Sequence, residues 1–96
     1  MKFTWNRSKA ESNLEKHGIS FAEARTVFYD PWQESFPDPD HSIGEERFIC
    51  LGMSEQGRVL FVSYTEKTVN YFRLISAREA TKSEERKYYE GRSYYS

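Results

Sequence analysis

The chain has 96 residues, 38% hydrophobic and 17% aromatic, with 30% charged residues and a net charge of −1 at pH 7. That length supports one modest core, so a single domain over 1–96 is expected, and the aromatic content argues against a disordered chain. No apolar run approaches the ~20 residues of a membrane helix and no signal-like block follows Met1, which leaves a cytoplasmic, non-membrane protein as the expectation.

MKFTW, at the start, reads as an edge strand. SKAESNLEKHG predicts a first helix over 8–17. Ser8 and Glu11 have the spacing of a capping box, Ala10 and Leu14 lie four apart, and Gly18 suits a left-handed C-terminal residue. SFAEARTVF repeats the pattern, with Ser20 and Glu23 as a second box and Phe21, Ala24, Val27 and Phe28 on one helical face. Residues 30–46 hold all three prolines, six acids and no base. They read as a loop with a short strand near 32–36, and His41 within them reads as solvated. From Glu46 the pattern becomes alternation: ERFICLGM, a turn over 54–57, RVLFVSYT, a turn near 66–69, then NYFRLISA. This is an antiparallel meander. In TKSEERKYYE, Thr81 and Glu84 form a third box ahead of a charged helix. The order β-α-α-β-β-β-β-α, with the helices segregated from the meander, gives an α+β domain: two N-terminal helices on the sheet and one C-terminal helix.

Hairpin arithmetic assigns the faces. A four-residue turn sets Met53 opposite Arg58, hence Leu51 opposite Leu60, Ile49 opposite Val62 and Arg47 opposite Tyr64. A second turn, setting Thr65 opposite Asn70, puts Tyr64 opposite Tyr71 and Val62 opposite Arg73. One face then carries Phe48, Cys50, Val59, Phe61, Phe72 and Leu74 as a floor for the helices. The other gathers Arg47, Tyr64, Tyr71 and Arg73 toward one end, with Arg58 at the opposite end. Between them Ile49, Leu51, Leu60, Val62 and Ile75 form an apolar strip without obvious cover, a candidate partner groove. Arg78 is five residues from Arg73, an odd separation that a regular strand sends to opposite faces. The two share a face only if the strand ends or twists near 76–77.

Charge is unevenly spread. Residues 1–66 hold seven basic and eleven acidic side chains, a balance of −4, whereas 67–96 hold seven and four, a balance of +3. Local positive charge is what phosphate contact requires. Arginine forks match phosphate oxygens and tyrosine rings stack on unpaired bases, so the arginine and tyrosine face points to nucleic acid. The competing reading of each arginine is a snorkelling side chain paired with a carboxylate. Cys50 reads as a small buried residue, Trp5 and Trp32 as packing, and neither a metal nor a cofactor is expected.

The runs WNRSKAESNLEKHGISFAEARTVFYDP, FPDPDHSIGEERFICLGMSEQGRVLFVSYTE and RLISAREATKSEERKYYE resemble the BrnT toxins over almost the whole chain. KHGISF, EER, GR, YTE, ISARE and the final E-R-x-Y stand in that family's order and spacing. The resemblance implies a RelE-like fold and a ribonuclease toxin of a type II toxin-antitoxin module. It also implies metal-independent RNA cleavage and a BrnA-like ribbon-helix-helix antitoxin through which alone operator DNA is bound. Such chemistry needs cations for the phosphate and an acid and a base for the two oxygens. Arg47, Arg73 and Arg78, with Tyr64, are the expected catalytic set, and Arg58, Tyr71, Lys82 and Arg86 the expected RNA contacts. Glu46, His17 and Tyr88, beside Tyr64, are candidates for acid or base. His17 also suits the negative end of a helix dipole and Glu46 a salt bridge. The alternative class is a non-enzymatic binding module acting in transcriptional autoregulation.

Overall fold

The computed structural model describes residues 1–40 and 44–95. The solvated role expected of His41 therefore lies outside the described residues. Strand β1 (Lys2–Trp5) leads into helix α1 (Arg7–His17) and helix α2 (Phe21–Ala24), which tightens into a 3₁₀ turn over Arg25–Tyr29. Strands β2 (Glu34–Pro37), β3 (Phe48–Met53), β4 (Val59–Thr68) and β5 (Tyr71–Glu79) follow, and helix α3 (Lys82–Tyr95) closes the chain. The strand order is β1-β5-β4-β3-β2, antiparallel except that β1 runs parallel to β5. The α+β architecture expected from the sequence is the one observed. Among the described residues no helix is long and apolar enough to cross a membrane.

Local signals account for the helix ends. Ser20 caps α2 by accepting from the Glu23 N–H at 3.0 Å, and Gly18 ends α1 at φ 70°. The cap of α1 differs from expectation. Asn6 accepts from the Lys9 N–H at 3.0 Å, so the helix begins at Arg7, and Glu11 pairs with Arg7 instead of closing a box with Ser8. Further along, Asn13 is buried and its side-chain amide donates to the Ala77 and Ile19 carbonyls and accepts from the Ala77 N–H, fastening α1 against β5.

The β3–β4 register departs from expectation by one residue. Met53 faces Val59 and Cys50 faces Val62, because the loop has five residues, 54–58, with Gly57 at φ 83°. The Ser54 N–H donates to the Arg58 carbonyl at 2.9 Å across it. A one-residue slip turns every β4 side chain over. Leu60, Val62 and Tyr64 thus join Phe48, Cys50, Leu74 and Ala77 beneath Phe21, Ala24, Val27 and Phe28. Val59 and Phe61 move to the other face, where with Leu51 they pack against Tyr88 of α3. The uncovered apolar strip expected from the sequence is therefore absent. Its Leu60 and Val62 lie under the helices, Leu51 lies against Tyr88, and Ile49 is also buried.

The β4–β5 turn is tighter than expected, with β4 reaching Thr68 and Asn70 in the left-handed region. Within this pair the register shifts between Ser63 and Tyr64: Ser63 faces Ser76 but Tyr64 faces Leu74, leaving Ile75 unmatched. Leu74 and Ala77, three apart, both enter the helix-covered core. Their outer neighbours Arg73 and Arg78 consequently share the opposite face. A bulge supplies the change of parity, and the strand continues to Glu79.

Gly52 faces Leu60 where the 3₁₀ turn presses on β3, and a Cβ there would lie 3.0 Å from Gln33 Cβ and 3.1 Å from the Val27 carbonyl oxygen. Gly52→Ala should cost about 1–3 kcal/mol through overpacking. A thermal melt reads this as a lower midpoint; an unchanged midpoint contradicts the packing described.

Candidate active site

The outer face carries a cleft of about 640 Å³. His17 from the end of α1, Arg47 just before β3 and Arg78 near the end of β5 converge on it. Ser63 and Ser76, paired across β4 and β5, supply hydroxyls. Phe36 and Phe61 form an aromatic floor with their rings 6.5 Å apart, and Asp38 and Asp40 stand on the β2 side.

Arg78 is a preorganised donor. Its guanidinium lies 4.1 Å from the centre of the Phe61 ring, and Nη1 and Nη2 donate to the Glu84 carboxylate at 2.8 and 3.0 Å. Nη1 also reaches the Glu79 carbonyl at 3.1 Å. Glu84 is fixed in turn by the capping box foreseen at Thr81. It accepts the Thr81 N–H at 2.9 Å, and its own N–H donates to the Thr81 hydroxyl. The Arg78 pair holds the Glu84 carboxyl below its usual range, against partial burial. Nε–H and one Nη2–H of Arg78 have no protein acceptor among the described residues, so an edge of the fork is left for an anion. Arg47 is half-buried and its side chain has no partner among the described residues.

The other residues singled out from sequence lie elsewhere. Tyr64 belongs to the helix-covered core. It is 6% exposed, has its ring centre 5.0 Å from that of Phe28 and 5.4 Å from that of Phe72, and burial pushes its hydroxyl pKa up. It cannot exchange protons with a substrate on the outer face. Tyr88 is buried too, and its hydroxyl donates to Asp30 at 2.6 Å. Burial first, and the Asp30 carboxylate second, raise its pKa, so it anchors α3. Arg58 is claimed by the fold: Nε and Nη2 donate to buried Glu23 at 2.8 and 2.6 Å, Nη1 to Glu79 and Nη2 also to the Gly18 carbonyl. Its side chain points to the helix side, away from the face assigned to it.

Arg73 does lie on the outer face but is ion-paired with Glu45 and does not line the cleft. Glu46 is exposed in a separate recess with Glu66 and Lys67. Tyr71 opens β5 opposite Thr68, and Lys82 and Arg86 are exposed on α3. Ser63 and Ser76 were not anticipated. The available signal was a serine interrupting each apolar run, LFVSY and LISA.

The family model described as "Ribonuclease toxin, BrnT, of type II toxin-antitoxin system" matches residues 5–84. Among solved structures, the ribonuclease toxin BrnT of Brucella abortus superposes with a TM-score of 0.66 at 23% identity, over 85% of this chain and 99% of that one. The comparison with curated proteins returns no match. With the match running from β1 into the first turn of α3 and the same fold in the Brucella toxin, the chain belongs to the BrnT family of ribonuclease toxins of type II toxin-antitoxin systems.

Proposed function

We propose that the cleft between His17, Arg47 and Arg78 cleaves RNA without a metal ion, using the ribose 2′-hydroxyl as nucleophile. The carrying observation is the convergence of two arginine side chains and one imidazole on a cleft floored by half-buried Phe36 and Phe61. In this reading the 2′-oxygen attacks the adjacent phosphorus, the P–O5′ bond breaks, and the products are a 2′,3′-cyclic phosphate and a 5′-hydroxyl. One proton leaves the 2′-oxygen and one reaches the 5′-oxygen. Imidazole is the side chain suited to such transfers near neutral pH, and of the four acid–base candidates only His17 lines the cleft. Arg47 and the free edge of Arg78 neutralise the phosphate oxygens as charge builds in the transition state. Ser63 and Ser76 supply hydrogen-bonding groups, and the Phe61 ring holds the Arg78 guanidinium in place. Arg73, neutralised by Glu45, has no part in this reading.

A cytoplasmic site of action and neutralisation by a BrnA-like ribbon-helix-helix antitoxin complete the proposal, with operator DNA contacted through that partner. The test is incubation of labelled RNA with the purified toxin in excess EDTA, with and without antitoxin. Antitoxin-sensitive cleavage leaving cyclic phosphate ends is expected. Intact RNA in EDTA and cutting on addition of a divalent ion would refute the metal-independent mechanism.

A further inference from the structure

The helix α1 presents a second set of cations that the cleavage chemistry does not use. Lys9, Ser12 and Lys16 are spaced to lie along one side of the helix and line a recess of about 200 Å³. This recess shares His17, Ile75 and Ser76 with the Arg47 and Arg78 cleft, so the two lie side by side. Both lysines are exposed, and among the described residues neither ammonium has a carboxylate partner. Their α-carbons are separated by roughly 10 Å along the axis. Asn13, in the same recess, locks this part of α1 to β5 through Ala77, one residue from Arg78. The lysines are therefore set in a fixed relation to the cleft.

Resting on the cleft assignment above, we infer that this side of α1 is the track along which the RNA backbone leaves the cleavage point, with Lys9 and Lys16 each taking a phosphate. The acidic groups reinforce the direction. Asp40 stands exposed on the β2 side of the cleft and repels a backbone running that way, whereas Glu11 on α1 is engaged by Arg7. Glu15 is the remaining exposed acid on the helix. The division of labour follows from side-chain chemistry. Arginine forks hold the phosphate that reacts, and flexible ammonium groups neutralise neighbouring phosphates without reading sequence.

The test is the Lys9→Ala/Lys16→Ala double variant, whose thermal midpoint should match the unmodified protein because neither ammonium has a carboxylate partner among the described residues. Cleavage of a short single-stranded RNA is measured across salt concentrations. Binding is measured separately with the matching DNA strand, which lacks the nucleophile. We expect KM to rise roughly tenfold with kcat within about twofold. The slope of log affinity against log salt should become shallower by about 1.4, the value for two single-strand phosphate contacts, and Lys9→Arg/Lys16→Arg should restore both. An unchanged KM and slope in a protein that still cleaves RNA overturns the track and spares the cleft assignment. Lysine-dependent binding of the DNA strand by a protein that never cleaves the matching RNA keeps the track and removes the cleft assignment. Lysine-independent binding overturns the inference whatever the cleavage result.

Discussion

Arg78→Ala should lower the rate of RNA cleavage by about 10²–10³-fold, the loss seen when a preorganised donor to a developing oxyanion is removed. The argument rests on how little Arg78 must reorganise. The Phe61 ring, the Glu84 carboxylate and the Glu79 carbonyl already fix the guanidinium, so its free edge meets charge building on phosphate without first paying rotamer entropy. Arg78→Lys keeps the charge but loses the fork, and should recover only a small part of the rate. Arg78→Ala also strips Glu84 of its bidentate partner, which confounds activity with local stability. Arg47→Ala is the cleaner companion: among the described residues no side-chain partner is lost, so its rate should fall while its melting point stays put. Single-turnover cleavage at saturating protein reads the chemical step. Rates within about threefold of the unmodified toxin for both alanine variants would remove the arginines from the chemistry.

Glu23→Gln should be the most destabilising single replacement discussed here, costing about 2–3 kcal/mol, because it breaks a pair whose acidic member is buried. Glu23 is 3% exposed and accepts from Arg58 twice and from the Ser54 hydroxyl at 2.7 Å. Those contacts tie α2 to the β3–β4 loop and to the start of β4. Arg58 is about a third exposed, so solvent relieves part of the unpaired charge and keeps the cost below that of a fully buried pair. The Arg58 hydrogen bonds hold the Glu23 carboxyl below the ordinary 4.5, against burial that raises it. A depressed folded-state pKa means the unfolded chain takes up the proton first as pH falls. The stabilisation is therefore complete above about pH 4.5 and disappears as acidity reaches the lower, folded-state value. Melting curves of the unmodified protein and Glu23→Gln should be well separated at pH 7 and converge in acid. A gap that stays constant through pH 3 would show that the charge does not supply the stability.

The helices and strands were readable from apolar runs and alternation and from the end signals Ser20, Thr81, Gly18 and Gly57. The face assignment of β4 was not readable, and the reason lies in VLFVSY. Helices cover one side of this strand and α3 covers the other, so both sides are apolar and alternation carries no sign of which is which. Only the loop length decides, and a five-residue loop with Gly57 left-handed turns Tyr64 from the outer face into the core. The bulge at Ile75 is equally silent in composition, yet it sets Arg73 and Arg78 on one side. Arg47, Arg78 and His17 stood out in the sequence because these residue types suit phosphate and proton transfer, and the fold brings all three to one cleft. Their grouping depended on α1 docking beside β5, a contact made by Asn13 that helical periodicity does not reveal.

That Asn13 contact has a consequence for self-association. Strand β1 matches β5 only from Tyr71 to Leu74, so beyond Leu74 the outer rim of β5 would offer unpaired peptide groups to another chain. An asparagine amide carries the same donor and acceptor as a peptide, and at Ala77 it satisfies both. One side chain thus stands in for a missing strand and blocks edge-to-edge pairing at this point. Asn13→Ala would reopen the rim, and its mark would be concentration-dependent oligomers as well as a lower melting point.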